Sequence, residues 1–234
     1  MSAQSILINR LCPDEAFTNA MARAVADVLL PGDVVALQGD LGAGKTTFTR
    51  ALAQALGADA GLVSSPTFVI VNEYPLATPV RGIARVIHAD AYRLTSTDDL
   101  DALGWDRFTT PDKHASRDAV LLIEWPSRIS DALPPEHLTV RLTPHNETDA
   151  PTSARQMELH VPQAWRSRPR LDLLVHQVPV TCRISGQLVH PTSPSYPFID
   201  DRAKMADLNR WFSGSYSITR PLRPEDEEAD NDRR

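Results

Sequence analysis

A nine-residue stretch, Gly39-Asp40-Leu41-Gly42-Ala43-Gly44-Lys45-Thr46-Thr47, follows directly on the apolar run Val34-Val35-Ala36-Leu37. The pattern G-x-x-x-x-G-K-[ST] therefore lies between a short buried-strand signal and a helix predicted from Thr46 to Leu56. No other feature restricts the fold as much, because such a loop acts through its backbone and needs a strand to enter it and a helix to leave it. Glycines let the main chain bend until successive N–H groups face one anion. The positive N-terminal end of the following helix adds to the same site. Read this way, Asp40, Leu41, Gly42, Ala43, Gly44, Lys45, Thr46 and Thr47 surround the phosphates of a nucleoside triphosphate. Lys45 reaches the β- and γ-phosphates, and the Thr46 hydroxyl is a ligand for Mg2+. The bland alternative is a glycine-rich strand-to-helix turn with no ligand.

The 234 residues allow one ordinary α/β domain with an appendage, or two small domains. Residues 5–9 read as a strand. Pro13 opens a helix with Phe17, Met21, Ala24, Val25, Val28 and Leu29 on one face, and Pro31-Gly32 ends it. After the loop and its helix come a strand-like run at 68–71, a turn-rich gap, a strand at 85–93, a short helix opened at 97–99 and closed by Gly104, and a continuous apolar run at 119–123. Two further strands are expected at 137–143 and 155–161. This alternation predicts an α/β phosphate-loop domain of three layers around a central sheet, occupying residues 1–162.

Residues 163–234 differ in character. Eight of the 19 prolines fall between Pro162 and Pro224, and the last ten residues hold six acids and two arginines. A loosely ordered, largely irregular extension is expected, with Met205, Leu208, Trp211 and Phe212 on one helical face. That face either covers an exposed part of the domain or docks another protein. The net charge of −6 argues against direct gripping of RNA, which favours a basic face, so any nucleic acid would be held through a partner. Two cysteines in no metal-ligand spacing, no basic or apolar leader and no membrane-length run point to a cytoplasmic protein.

Hydrolysis needs more than a phosphate loop: a metal and a group that orients water. The run at 119–123 ends in Glu124-Trp125, and ligands of open α/β sheets lie beyond the carboxyl ends of parallel strands. Glu124 is thus a candidate for the metal or its water. Asp90 shares a strand face with His88 and Tyr92; from the residues alone it is either a water-orienting carboxylate or part of a polar, solvated face. Thr67, behind a proline, could sense the γ-phosphate as switch loops do. Asp101-Ala102-Leu103-Gly104 matches the D-x-x-G of GTPases but reads better as a helix stop. No N-K-x-D element reads guanine, so nothing favours GTP over ATP.

The motifs G-D-L-G-A-G-K-T-T-F at 39–48, S-P-T-F at 65–68 with N-E-Y at 72–74, H-A-D-A-Y-R-L at 88–94 and L-I-E-W at 122–125 together resemble the TsaE (YjeE) family, in its order and spacing, over about residues 5–161. The resemblance implies a mixed central sheet and a slow ATPase that becomes productive with the TsaB and TsaD proteins. Its role would be in threonylcarbamoylation of the adenosine beside the anticodon of certain tRNAs, without itself transferring the threonylcarbamoyl group. It further implies Mg2+ at Thr46 and Glu124, an essential Asp90, a switch-like loop at Thr67 and Trp125 beside the site. Glu15 would lie toward the adenine, and Arg155 would approach the nucleotide. Ser127 departs from the family, which usually carries a glutamate there. Two other readings stay open: a small-molecule kinase, disfavoured because 95–118 holds only Arg107 and Arg117, and a non-catalytic nucleotide-dependent switch.

Overall fold

In the computed structural model, residues 5–59, 61–64, 71–94, 99, 105, 118–145 and 151–212 are described. Seven strands form one mixed sheet: β1 (Ile6–Cys12), β2 (Val34–Gln38), β3 (Val71–Val80), β4 (Ile83–Asp90), β5 (Ala119–Glu124), β6 (Leu138–Pro144) and β7 (Arg155–Val161). Their order is β1-β7-β6-β2-β5-β4-β3. The four central strands β6, β2, β5 and β4 run parallel, and antiparallel strands flank them on both sides. β5 is buried at all six positions, as its unbroken apolar run requires of a strand covered on both faces.

Helices α1 (Glu15–Ala26) and α2 (Lys45–Leu56) cover one face. Asp14 caps α1 by accepting from the Phe17 amide, and Gly57, in the left-handed conformation, closes α2. Met21, Val25, Phe48, Leu52 and Leu56 interlock there with Leu37, Leu122, Val140 and Leu159. The opposite face carries a smaller cluster, with Ile87, Leu121 and Ile123 under Leu94, Trp105 and Ile129. Helices, sheet and this turn-built cover make the three layers.

Two sequence expectations shift. The gap expected to be turn-rich after Val71 is instead β3, a ten-residue strand paired to β4 with an irregular register between Pro75 and Val80. Its prolines are tolerated because β3 is an edge strand, where a missing N–H faces no partner. The strand expected to run to Arg93 ends at Asp90, whose side chain accepts from the Tyr92 amide and turns the chain into a short 3-10 segment, Ala91–Arg93. The helix expected from 97 to 104 lies, but for Asp99, outside the described residues, as do the run 68–70, Thr67, Arg107 and Arg117.

Beyond residue 162 the chain makes a 3-10 segment (Gln163–Ser167), a one-and-a-half-turn helix α3 (Leu171–His176), a two-residue-per-strand hairpin (Val180–Thr181, Leu188–Val189) and helix α4 (Asp201–Phe212). Turns dominate, as the prolines imply, yet Trp165, Leu171 and Leu174 enter the main core. Arg168 forks onto Asp33, donates to the Val28 carbonyl and stacks on Trp165 with its guanidinium 3.7 Å from the ring centroid. Arg10 donates to the carbonyls of Leu174, Val175 and Gln177 at the end of α3. Thr192 donates to Asp27. Asp33 precedes β2 and Asp27 ends α1, so the anchors made by Arg168 and Thr192 sit at the pole opposite the carboxyl ends of the parallel strands. The apolar face of α4 does not cover the domain: Met205, Leu208, Trp211 and Phe212 are all exposed.

Candidate nucleotide site

Three strand ends meet at the opposite pole. In register, Leu37 of β2 lies beside Glu124 of β5, and Glu124 beside Asp90 of β4. The chain leaves β2 through Gly39, Gly42 and Gly44, at φ of 147, 78 and 105°, angles that an L side chain rarely adopts. At Gly39 no side chain fits at all, because a Cβ would lie 2.4 Å from the Leu142 carbonyl oxygen. The loop then enters α2 with no side-chain cap at its first turn. Those amides, with the helix's positive end, therefore remain available to an anion.

The cavity above the loop holds about 440 Å³ and is lined by Leu41, Gly42, Gly44, Lys45, Thr46, Thr47, Asp90, Tyr92, Glu124 and Trp125. Lys45 is buried at its stem; its ammonium donates to the carbonyls of Gly39 at 2.8 Å and Asp40 at 2.9 Å and lies 3.8 Å from the centroid of the Trp125 ring. Burial pushes its pKa down, opposed by Glu124, Asp90 and Asp40, which favour the charge. Trp125, held at φ 60°, and Tyr92 pack at a tilt of 54° with centroids 5.1 Å apart and form an aromatic wall.

The Thr46 hydroxyl donates to Glu124, 3.0 Å from Oε1 and 3.2 Å from Oε2. A hydroxyl donating in this way keeps its lone pairs for a cation. Among the described residues no three His, Cys, Asp or Glu side chains gather into a cage. A donor set of one hydroxyl and carboxylates suits Mg2+, which keeps waters and shares its ligation with phosphates. Asp90 is 3% exposed and lines the same cavity, which removes the reading of a solvated strand face.

The other expected residues are placed differently. Asp40 and Ala43 shape the loop from outside the cavity wall, through the Asp40 carbonyl accepting from Lys45 and from the Ala43 amide. Arg155 donates to the carbonyls of Ala43 and Gly42, so it braces the loop from behind. Glu15 starts α1 as an exposed side chain and stands outside the lining. Thr67 lies outside the described residues. Two groups had no assigned role in the sequence reading: Tyr92, which the turn at Asp90 swings over the cavity, and His88, whose Nε2 lies 3.0 Å from Glu124 Oε1. The i, i+2 spacing of His88 and Asp90 was a visible signal; the pairing with Glu124 was not.

A family model described as "Threonylcarbamoyl adenosine biosynthesis protein TsaE" matches residues 12–156. The chain is 41% identical over 128 residues to the tRNA threonylcarbamoyladenosine biosynthesis protein TsaE of Bacillus subtilis, covering 55% of this chain and 71% of that one. It is 33% identical over 158 residues to the protein of the same name from Haemophilus influenzae, covering 65% of this chain and 88% of that one. Among solved structures, Bacillus subtilis YdiB superposes with a TM-score of 0.50 at 28% identity, covering 69% of this chain and 90% of that one.

Proposed function

The chain belongs to the TsaE family, and from that premise we propose that it is an ATP-binding, Mg2+-dependent ATPase that supports tRNA threonylcarbamoyladenosine formation, acting with TsaB and TsaD. The observation that carries the reading is the convergence, within one cavity, of a positive-φ glycine loop, the Lys45 ammonium and a Thr46–Glu124 pair. Backbone amides and Lys45 would bind the polyphosphate, with Lys45 exchanging its two carbonyl partners for phosphate oxygens. Thr46 and Glu124 would hold Mg2+, which supplies charge neutralisation at the β- and γ-phosphates. Asp90, beside Glu124, would orient or accept a proton from the attacking water. Tyr92 and Trp125 would exclude bulk water from one side of the cavity.

Phosphate release depends on how these groups are brought to the γ-phosphate, and this is where partner activation would act. Among the described residues no helix is long and apolar enough to cross a membrane. The test is a single-turnover assay with labelled ATP, alone and with purified TsaB and TsaD. Release of phosphate accelerated by the partners supports the proposal. A phosphorylated small molecule would instead indicate a kinase, and nucleotide-dependent partner binding with no turnover a switch.

A further inference from the structure

His88 is completely buried, in contact with a carboxylate that is itself 2% exposed. It sits on β4 opposite Leu122 of β5, so its side chain emerges on the α2 face, the same face as Glu124 two residues further along β5. Its Nε2 is 3.0 Å from Glu124 Oε1. The Glu124 carboxylate also accepts a hydrogen bond from the Thr46 hydroxyl, and a carboxylate only accepts, which assigns the proton of the His88–Glu124 contact to Nε2. Nδ1 has no hydrogen-bond partner among the described residues, although its surroundings admit no solvent. A buried ring nitrogen without a partner costs stability, so a purely structural account of this histidine is poor: leucine would fill the same space without that cost. The ring of Tyr74, 4% exposed and 6.2 Å away between centroids, holds the imidazole from the other side.

We propose that His88 is a positioning residue for the Glu124 carboxylate. It fixes the glutamate's rotamer through Oε1, so that Oε2, which takes only the longer Thr46 bond, keeps acceptor capacity toward the cavity. The same arrangement is general for metal sites, where a donor behind a ligating group sets its direction. Glu124 is the last residue of β5, and its three side-chain torsions offer several rotamers that this contact narrows to one. This inference rests on the reading of Glu124 as a Mg2+ group.

The test uses the full chain and ADP as probe, titrated calorimetrically with Mg2+ and with EDTA. In wild type Mg2+ tightens ADP binding. In His88→Leu that tightening falls at least tenfold, within the ~10- to 100-fold range for such supporting residues, while ADP affinity in EDTA stays unchanged. His88→Gln, whose amide can donate from the Nε2 position, restores most of it. Nitrogen NMR of the wild-type imidazole shows the proton on Nε2, a measurement that needs no variant. An unchanged Mg2+ effect in His88→Leu, equal losses in the Leu and Gln variants, or a ring with no proton on Nε2 would each overturn the proposal. Absence of any Mg2+ effect in wild type would bring down the reading of the whole site as well, which separates the two failures.

Discussion

Substituting alanine at Gly39 isolates the steric demand that shapes the loop. Two costs combine there. The backbone has a φ of +147°, in a region nearly reserved for glycine, which carries about 1–3 kcal/mol for another residue. The added Cβ would also sit 2.4 Å from the Leu142 carbonyl oxygen and 2.9 Å from the Ala43 Cβ. Ordinary contact needs about 1 Å more, and the obstacle is main chain of β6, so relief requires moving a strand or the loop at ~1–3 kcal/mol. Gly39→Ala should therefore destabilise the protein by about 4 kcal/mol. Gly57→Ala is the control, since its φ is +104° but nothing lies within 4 Å of its Cβ; it should cost only about 1–2 kcal/mol. With a urea slope of ~2 kcal/mol/M, the two midpoints fall by about 2 M and below about 1 M respectively. Gly39→Ala should also lose ADP binding, because the displaced loop misdirects its amides, whereas Gly57→Ala should keep it. A Gly39→Ala protein with the wild-type midpoint and ADP affinity would refute the reasoning.

Further outcomes are expected elsewhere. Glu124→Ala should leave nucleotide binding partly intact in calorimetry and slow Mg2+-dependent phosphate release by about 100-fold; wild-type turnover would remove Glu124 from the site. Arg168→Ala strands the Asp33 carboxylate at the far pole, where the pair is largely buried, and should cost about 3 kcal/mol in urea unfolding with ADP affinity unchanged. Burial raises the Cys12 thiol from 9.0 to about 11. The unfolded chain thus releases a proton near pH 9 that the folded chain keeps, so stability is intact below pH 9. It falls as pH rises through 11, by up to about 3 kcal/mol. Cys12→Ala should flatten that part of the stability–pH curve, measured by denaturation at pH 8 to 11.

The phosphate loop could be read from the chain because its instructions are local: three glycines within six residues, a lysine and a threonine, with a strand run before and a helical run after. The same holds for β5, whose apolar run and terminal acid mark both its burial and the place of Glu124. Family motifs added Asp90, which spacing alone left undecided. What remained hidden depends on pairing between distant segments. Asp90 and Glu124 meet because β4 and β5 run parallel in one register, His88 meets Glu124 for the same reason, and Arg155 reaches the loop only because β7 lies two strands from β2. β3 was missed because proline argues against a strand until its edge position is known. The extension's docking was missed because proline content reports on regular structure and says nothing of packing. Local backbone requirements are written in consecutive residues; distances between side chains far apart in sequence are set by sheet register and core packing, which belong to the folded chain as a whole.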